Sequence, residues 1–136
     1  MKRSWVVAAV AALIAAACAT QPREPPRKPF MGTLWHAILD LPLRGEQPAL
    51  RFGDGRVEGF GGCNRFVARV TQDAIGARAL VVGRIEMDRR LCTDAAAQMT
   101  ENRLLEILQT STSYDVNGEI LTITGSAGTM KFRASP

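Results

Sequence analysis

The feature that most constrains the fold is a glycine-rich stretch that ends at a cysteine. Residues 57–66 read Val-Glu-Gly-Phe-Gly-Gly-Cys-Asn-Arg-Phe, with glycines at positions 59, 61 and 62. Glycines this dense weaken a plain strand, so we expect a bulge, a sharp barrel corner or the close approach of another backbone. A phosphate-binding loop is disfavoured, because no Lys-Ser/Thr follows and the stretch does not lead into a helix. Strict alternation turns Cys63 outward unless a bulge shifts the phase, and the sequence leaves this open.

The first residues predict an export signal. Lys2 and Arg3 form a basic start, and residues 5–17 are apolar or small. That run is shorter than the ~20 residues of a transmembrane helix but suits a secretory signal. It ends at Cys18 after three alanines, as in bacterial lipoproteins, so we assign Cys18 as the lipid attachment site, although Ala15 stands where such signals usually carry leucine. The alternative is ordinary cleavage after an A-x-A site, which yields a soluble periplasmic protein.

The chain after the leader divides into a tether and a domain. We predict a signal peptide at residues 1–17, a proline-rich, semi-rigid tether at residues 18–29 and one domain at residues 30–134. Alanine at position 19, rather than aspartate, is an outer-membrane address in Gram-negative lipoproteins. We therefore expect a protein held on the outer membrane by its N-terminal lipid and facing the periplasm.

Charge argues against a nucleic-acid partner. The chain has 17 basic and 13 acidic residues, and removal of Lys2 and Arg3 leaves 15 against 13, a net charge of +2. The remaining basic residues are scattered singly, whereas nucleic-acid surfaces carry a basic stripe with aromatic side chains.

The two remaining cysteines, Cys63 and Cys92, predict a disulfide. Exported proteins fold in an oxidising compartment. A bridge would close a loop of about 30 residues, worth roughly 3.5 kcal/mol in the chain-entropy model. Two buried free thiols are the alternative interpretation.

Periodicity predicts a mainly β, α+β domain. We expect strands at residues 33–41, with Trp35 in the core, at 49–52 and 56–60 around a Gly-Asp-Gly turn, at 64–70, and at 80–87. Asn117-Gly118 and residues 125–128 separate three further strands. Residues 95–109 form the predicted helix, capped by Thr93 or Asp94. These elements favour a small antiparallel β-barrel or meander with one α-helix, its interior filled by side chains with little room for a ligand.

Glu101 is out of place on that helix, because it falls within the apolar stripe of Ala97, Leu104, Leu105 and Leu108. A carboxylate there must be paired, protonated or at the rim of the core. One hypothesis pairs it with Arg89 or Arg90, held nearby by Cys92. The other turns it toward solvent.

Several elements together resemble a known family. They are Trp35, the Gly59 to Asn64 stretch with Phe66, the Met87-Asp88-Arg89-Arg90-Leu91-Cys92 segment, Glu101 before Leu104, Leu105 and Leu108, and a C-terminal pattern from Tyr114 to Phe132. They resemble the META domain of HslJ-like bacterial lipoproteins over essentially the whole domain. The resemblance implies a small antiparallel β-barrel with a helix, in envelope proteins linked to heat and stress responses. It marks Gly62, Asn64, Arg89 and Glu101 as motif residues, and it carries over no catalytic residue.

Candidate chemistry is sparse. A Cys63 nucleophile with His36 as its base has nothing in the sequence to hold the pair together. Paired metal-ligand spacing is absent, so we expect neither a metal nor another cofactor. Asn64 reads as a core amide rather than a ligand contact. Asp88, beside Arg89 and Arg90, is either an interaction patch or a solvated loop.

We therefore expect a monomeric, non-catalytic envelope lipoprotein, acting as a stress-related or structural interaction module with a protein partner in the envelope. A periplasmic binding or inhibitor module is the alternative, which an exposed apolar loop near Gly76 or Arg90 would favour. An enzyme would be favoured only if His36 and Cys63 were adjacent in a cleft.

Overall fold

A computed structural model describes residues 22–23, 26–72 and 78–136. The predicted leader and Cys18 lie outside the described residues. The described residues form nine strands and one helix, in the following order: β1 Leu34–Ala37, β2 Ala49–Gly53, β3 Arg56–Phe60, β4 Arg65–Gln72, β5 Leu80–Val82, β6 Glu86–Met87, α1 Ala95–Gln109, β7 Ser111–Asn117, β8 Ile120–Gly125 and β9 Gly128–Ala134.

The strands form one antiparallel sheet that curls almost into a closed barrel. Their spatial order is β5-β4-β3-β2-β1-β9-β8-β7, with β6 paired to β4. The two ends of this order meet where Ala79 bridges Ser113 and where the Tyr114 amide donates to the Arg78 carbonyl at 2.9 Å. Closure satisfies backbone groups that an open edge would expose. The predicted fold class, a small antiparallel barrel with one helix, is confirmed.

One face of every long strand supplies the core. Trp35, Leu50, Phe52, Val57 and Phe132 are almost fully buried, and each such side chain contributes about 2–3 kcal/mol on burial. The buried side of α1 joins the same cluster and packs against β5, β8 and β9. The interior is thus occupied by side chains.

The tether enters the fold through Phe30. Its ring stacks between Phe52 and Tyr114, with centroids 4.3 and 4.0 Å away. Its carbonyl accepts a hydrogen bond from the Trp35 indole at 3.1 Å. The preceding Lys28 amide donates to the carbonyl of Gly118 at 2.9 Å. The N-terminal segment is therefore fastened at the end of the barrel that carries the β7–β8 turn.

Local sequence signals worked best at the turns and the helix. Asp54 and Gly55, between β2 and β3, both have positive φ, as a type I′ hairpin requires. The helix has the predicted bounds, and the Asp94 side chain caps it by accepting from the amides of Ala96 and Ala97. The outward side chains of Arg65 and Arg69 are exposed, as predicted.

Two predicted strands were wrong in extent. The first covers only Leu34–Ala37, and Leu41, which the predicted alternation places on the same face as Trp35, is 81% exposed. The stretch predicted as one strand at 80–87 is two strands, which both pair with β4. Three residues, 83–85, stand between them opposite two residues of β4, 68–69. This extra residue breaks the ladder as a bulge does.

Candidate functional site

The glycine-rich loop between β3 and β4 is where the helix approaches the sheet. A Cβ added at Gly61 would lie 2.7 Å from Glu101 Cγ, and one at Gly62 would lie 2.9 Å from the Ala97 carbonyl oxygen. Gly62 also has a φ of +133°, which side-chain-bearing residues rarely adopt. The glycines are therefore required by close packing of α1 on this loop, the close-approach explanation that the sequence had allowed.

Glu101 lies at the centre of this contact and is 1% exposed. Its Oε2 accepts hydrogen bonds from the backbone amides of Cys63 at 2.9 Å and Asn64 at 2.6 Å, and its Oε1 accepts from Asn64 Nδ2 at 2.7 Å. Such charge-assisted bonds offset the cost of burying a carboxylate.

Both hypotheses for Glu101 were therefore wrong. It does not point to solvent, and its partners are amides rather than the side chains of Arg89 or Arg90, which are exposed. A carboxylate needs donors, and a tight loop whose N–H groups converge supplies them without a cation.

Asn64 links the hydrogen bonds of Glu101 to the segment that precedes the helix. It is 5% exposed, and its Oδ1 accepts from the Arg90 amide at 2.7 Å while its Nδ2 donates to Glu101. Both ends of the side chain are used inside the protein, which is the arrangement of a core amide. Arg90 thus joins the cluster through its backbone, and Arg89 takes no part in it.

Cys63 and Cys92 are joined by a disulfide, with their Cα atoms 5.6 Å apart. This covalent link lies beside the hydrogen bonds of Glu101 and Asn64, so the loop, the 88–92 segment and the helix are held together three ways. We call the side chains of Cys63, Asn64, Cys92 and Glu101 the anchor cluster.

The Cys63–His36 nucleophilic pair, which the sequence analysis disfavoured, has no support in this arrangement. The Cys63 sulfur is bonded to Cys92, and a disulfide sulfur cannot supply a thiolate. His36 lies on β1, opposite Ala49 and Arg133. No group of three or more potential metal ligands occurs within residues 22–23, 26–72 and 78–136. In the same ranges, no helix is long and apolar enough to cross a membrane.

A groove with a volume of about 880 Å³ lies on the outer face of the sheet, and we call it the outer groove. Two rows of cross-strand neighbours form its floor. The first row runs Leu34, Arg51, Glu58, Val67, Glu86 and the second His36, Ala49, Phe60, Arg65. Asp88 lines the groove beyond Arg65, whose carbonyl accepts from the Asp88 amide at 3.0 Å.

The wall of the outer groove next to β2 is a rigid loop. The Gln47 side chain closes residues 43–47 on themselves: its Nε2 donates to the carbonyls of Leu43 and Gly45, and its Oε1 accepts from the Leu43 amide. Glu46 on this loop pairs with Arg65 at 3.3 Å, and Arg65 lies over the Phe60 ring at 5.6 Å from its centroid.

Sequence reasoning missed the outer groove. Alternation places its residues on the outward face, which looked merely solvated. The available signal was that Phe60 and Val67, two large apolar side chains, share that face with the acidic residues Glu58 and Glu86. Of the predicted candidates, Asp88 and His36 line the groove and the anchor cluster does not.

Comparisons with known proteins place the chain by sequence and by fold. Residues 32–136 match the model of the META domain. No curated protein matches the chain.

Three solved structures share the fold. The NMR structure of a protein from Burkholderia xenovorans is 18% identical, with a TM-score of 0.62, and the match covers 86% of this chain and 98% of that one. A second NMR structure is 19% identical, with a TM-score of 0.59 and coverages of 74% and 87%. The crystal structure of a DUF4847 family protein from Bacteroides vulgatus is 12% identical, with a TM-score of 0.54 and coverages of 76% and 93%. At these identities the likeness concerns the fold alone.

Proposed function

Since the chain belongs to the META domain family, we propose that it is a non-catalytic, lipid-anchored module of the cell envelope that works through its surface. Cys18 would carry the lipid, and the domain would face the periplasm from the outer membrane. Its task would be a stress-related or structural interaction with an envelope protein.

The observation that carries this proposal is the anchor cluster. The side chains of Glu101 and Asn64 form hydrogen bonds within the protein, and the sulfurs of Cys63 and Cys92 are joined in the disulfide. The cluster therefore stabilises the fold rather than presenting reactive groups. A structural disulfide also suits a protein that folds outside the reducing cytoplasm.

The fold also indicates which end of the domain would face away from the membrane. The N-terminal segment leaves at the β7–β8 turn, where Lys28 is bonded to Gly118, and near the β2–β3 turn, where Met31 bridges Phe52. The anchor cluster follows β3, which runs away from that turn, so it lies at the opposite pole of the barrel. A lipid on Cys18 would hold the domain with this pole away from the membrane.

Intact mass tests the anchoring and the bridge together. Protein from the membrane fraction should carry the added mass of acyl chains at its N-terminus and should gain two hydrogens on reduction. Cys18→Ser should move the protein from the membrane to the soluble periplasmic fraction. A wild-type protein that is unacylated and soluble would contradict lipid anchoring.

One observation favours the alternative, a binding or inhibitor module. Leu91, beside Arg90, is 92% exposed, and Met99 on the helix is 72% exposed. Gly76, the other loop considered, lies outside the described residues. An exposed leucine on a segment that a disulfide holds in place offers a partner a preordered apolar contact.

A crosslinking experiment under heat stress separates the two functions. If Leu91 inserts into a partner, Leu91→Asp should remove a crosslinked species. Met31→Ser, at the pole where the tether joins the barrel (the tether pole), should leave that species intact. Loss of the species with both variants, or with neither, would contradict a role for Leu91.

A further inference from the structure

The outer groove has the size of a small-molecule site. Its volume of about 880 Å³ falls within the range of ligand pockets in proteins. It lies on the opposite side of the sheet from the core, since its floor residues alternate with buried ones. A ligand could therefore enter it without disturbing the interior.

The charge of the outer groove is opposite to that of the whole chain. The chain carries a net charge of +4. The groove, in contrast, is lined by four carboxylates and two guanidinium groups, from Glu46, Glu58, Glu86, Asp88, Arg51 and Arg65. Its formal charge is thus −2, which favours a cation.

Two of those carboxylates have no partner among the described residues. Arg65 pairs with Glu46 at 3.3 Å, and Arg56 approaches Glu58 to 3.9 Å. The side chains of Glu86 and Asp88, by contrast, form no ion pair or hydrogen bond with any described residue. They project from one edge of the groove, two positions apart on β6 and just beyond it. This edge can therefore receive a positive charge without breaking an existing pair.

The groove floor also has apolar side chains. Val67 is 39% exposed there, opposite Glu58 in the register. Phe60 extends this surface, and the small side chain of Ala49, opposite Phe60 in the register, leaves depth there. An aromatic or aliphatic group could lie on this floor.

The occupant is better suited to be a small molecule than a peptide strand. Each of β1, β2, β3 and β4 is paired with a neighbour on both sides. The strands under the floor therefore offer no free edge for a peptide to extend, and β6, the strand at the border that is paired on one side only, is just two residues long. Its walls are also preformed, because Gln47 locks the 43–47 loop and Glu46 holds Arg65 in place.

We propose that the outer groove binds small organic cations that have an apolar body. The ammonium or similar group meets Glu86 and Asp88, and the apolar body lies on Phe60 and Val67. This binding goes beyond the proposed envelope function and does not depend on lipid attachment.

Amide NMR titration of the full-length protein with three probes of matched shape tests the proposal. The probes are 3-phenylpropylammonium, the neutral 3-phenylpropan-1-ol and the anionic 3-phenylpropanoate. We expect the ammonium to bind with a Kd of about 1–10 mM, as small fragments do, and to shift amides of β3, β4 and β6. The alcohol should bind several-fold more weakly and the carboxylate should bind weakest.

Two variants locate the site. An exposed ion pair contributes about threefold, so the double variant Glu86→Gln and Asp88→Asn should weaken ammonium binding about tenfold and leave alcohol binding unchanged. Ala49→Trp should abolish binding of all three probes by filling the groove. Glu119→Gln, an exposed carboxylate at the tether pole, is the matched control and should change nothing.

Amide dispersion of each free variant shows whether it is folded. The proposal is overturned if the three probes bind equally, if none binds, or if the shifts map away from the groove. It is also overturned if a folded double variant retains the ammonium affinity of the wild type.

Discussion

Exchanging the carboxylate group of Glu101 and the amide group of Asn64 tests whether matched donors and acceptors stabilise the anchor cluster. Glu101 accepts three hydrogen bonds, and Asn64 both donates to it and accepts from the Arg90 amide. In Glu101→Gln, the new amide oxygen can serve the two backbone amides, but its NH₂ then faces the NH₂ of Asn64. Turning the Asn64 amide over only moves the conflict to the Arg90 amide. One buried donor always loses its acceptor.

The magnitudes follow from this count. A buried donor without an acceptor costs about 1–3 kcal/mol, so Glu101→Gln should lower the unfolding free energy by about 2 kcal/mol. Asn64→Asp replaces the donor at 2.7 Å from Glu101 Oε1 with a like charge and should cost about 3 kcal/mol.

The double variant restores every bond. The new NH₂ at position 101 donates to the new carboxylate at position 64, whose other oxygen accepts from Arg90. We expect it to cost about 2 kcal/mol in total, where simple addition gives about 5.

Urea unfolding of the oxidised protein, followed by tryptophan fluorescence and circular dichroism, measures these free energies. Glu106→Gln, an exposed carboxylate on the same helix, is the control and should change stability by less than about 0.5 kcal/mol. Additive losses in the double variant would refute the reasoning, because they would mean that donor and acceptor matching does not decide the stability of the cluster.

Three further predictions concern stability. Reducing the disulfide should lower the unfolding free energy by about 3.5 kcal/mol, and unchanged urea midpoints with and without reductant would contradict this. Gly61→Ala should cost about 1–3 kcal/mol because its Cβ would lie 2.7 Å from Glu101, whereas Gly53→Ala, with nothing within 4 Å, should be nearly neutral in the same assay. Phe30→Ala should lower the unfolding free energy by about 3 kcal/mol because it removes the stacked ring. Equal melting temperatures for variant and wild type would argue against a structural role for Phe30.

Much of the fold was readable because its signals are local. Alternation over five to eight residues identifies the buried face of a strand, and Asp54 with Gly55 tolerates the backbone angles of a tight hairpin. Asp94 caps a segment with good helix propensity, so the helix bounds were predicted correctly. The strand around residue 83 failed because a bulge depends on pairing with β4, which no short window contains.

The sequence by itself determined the barrel class, the helix and the turns, since neighbouring residues carry the backbone preferences that produce them. Only the tertiary structure decided what Glu101 binds, because its donors lie 37 and 38 positions away in the chain. From the sequence alone, arginine side chains and loop amides are equally plausible donors. The outer groove likewise exists only through the register of β1, β2, β3, β4 and β6. Long-range register, unlike a local preference, is set by packing of the whole core, so chemistry that depends on it appears only when the chain has folded.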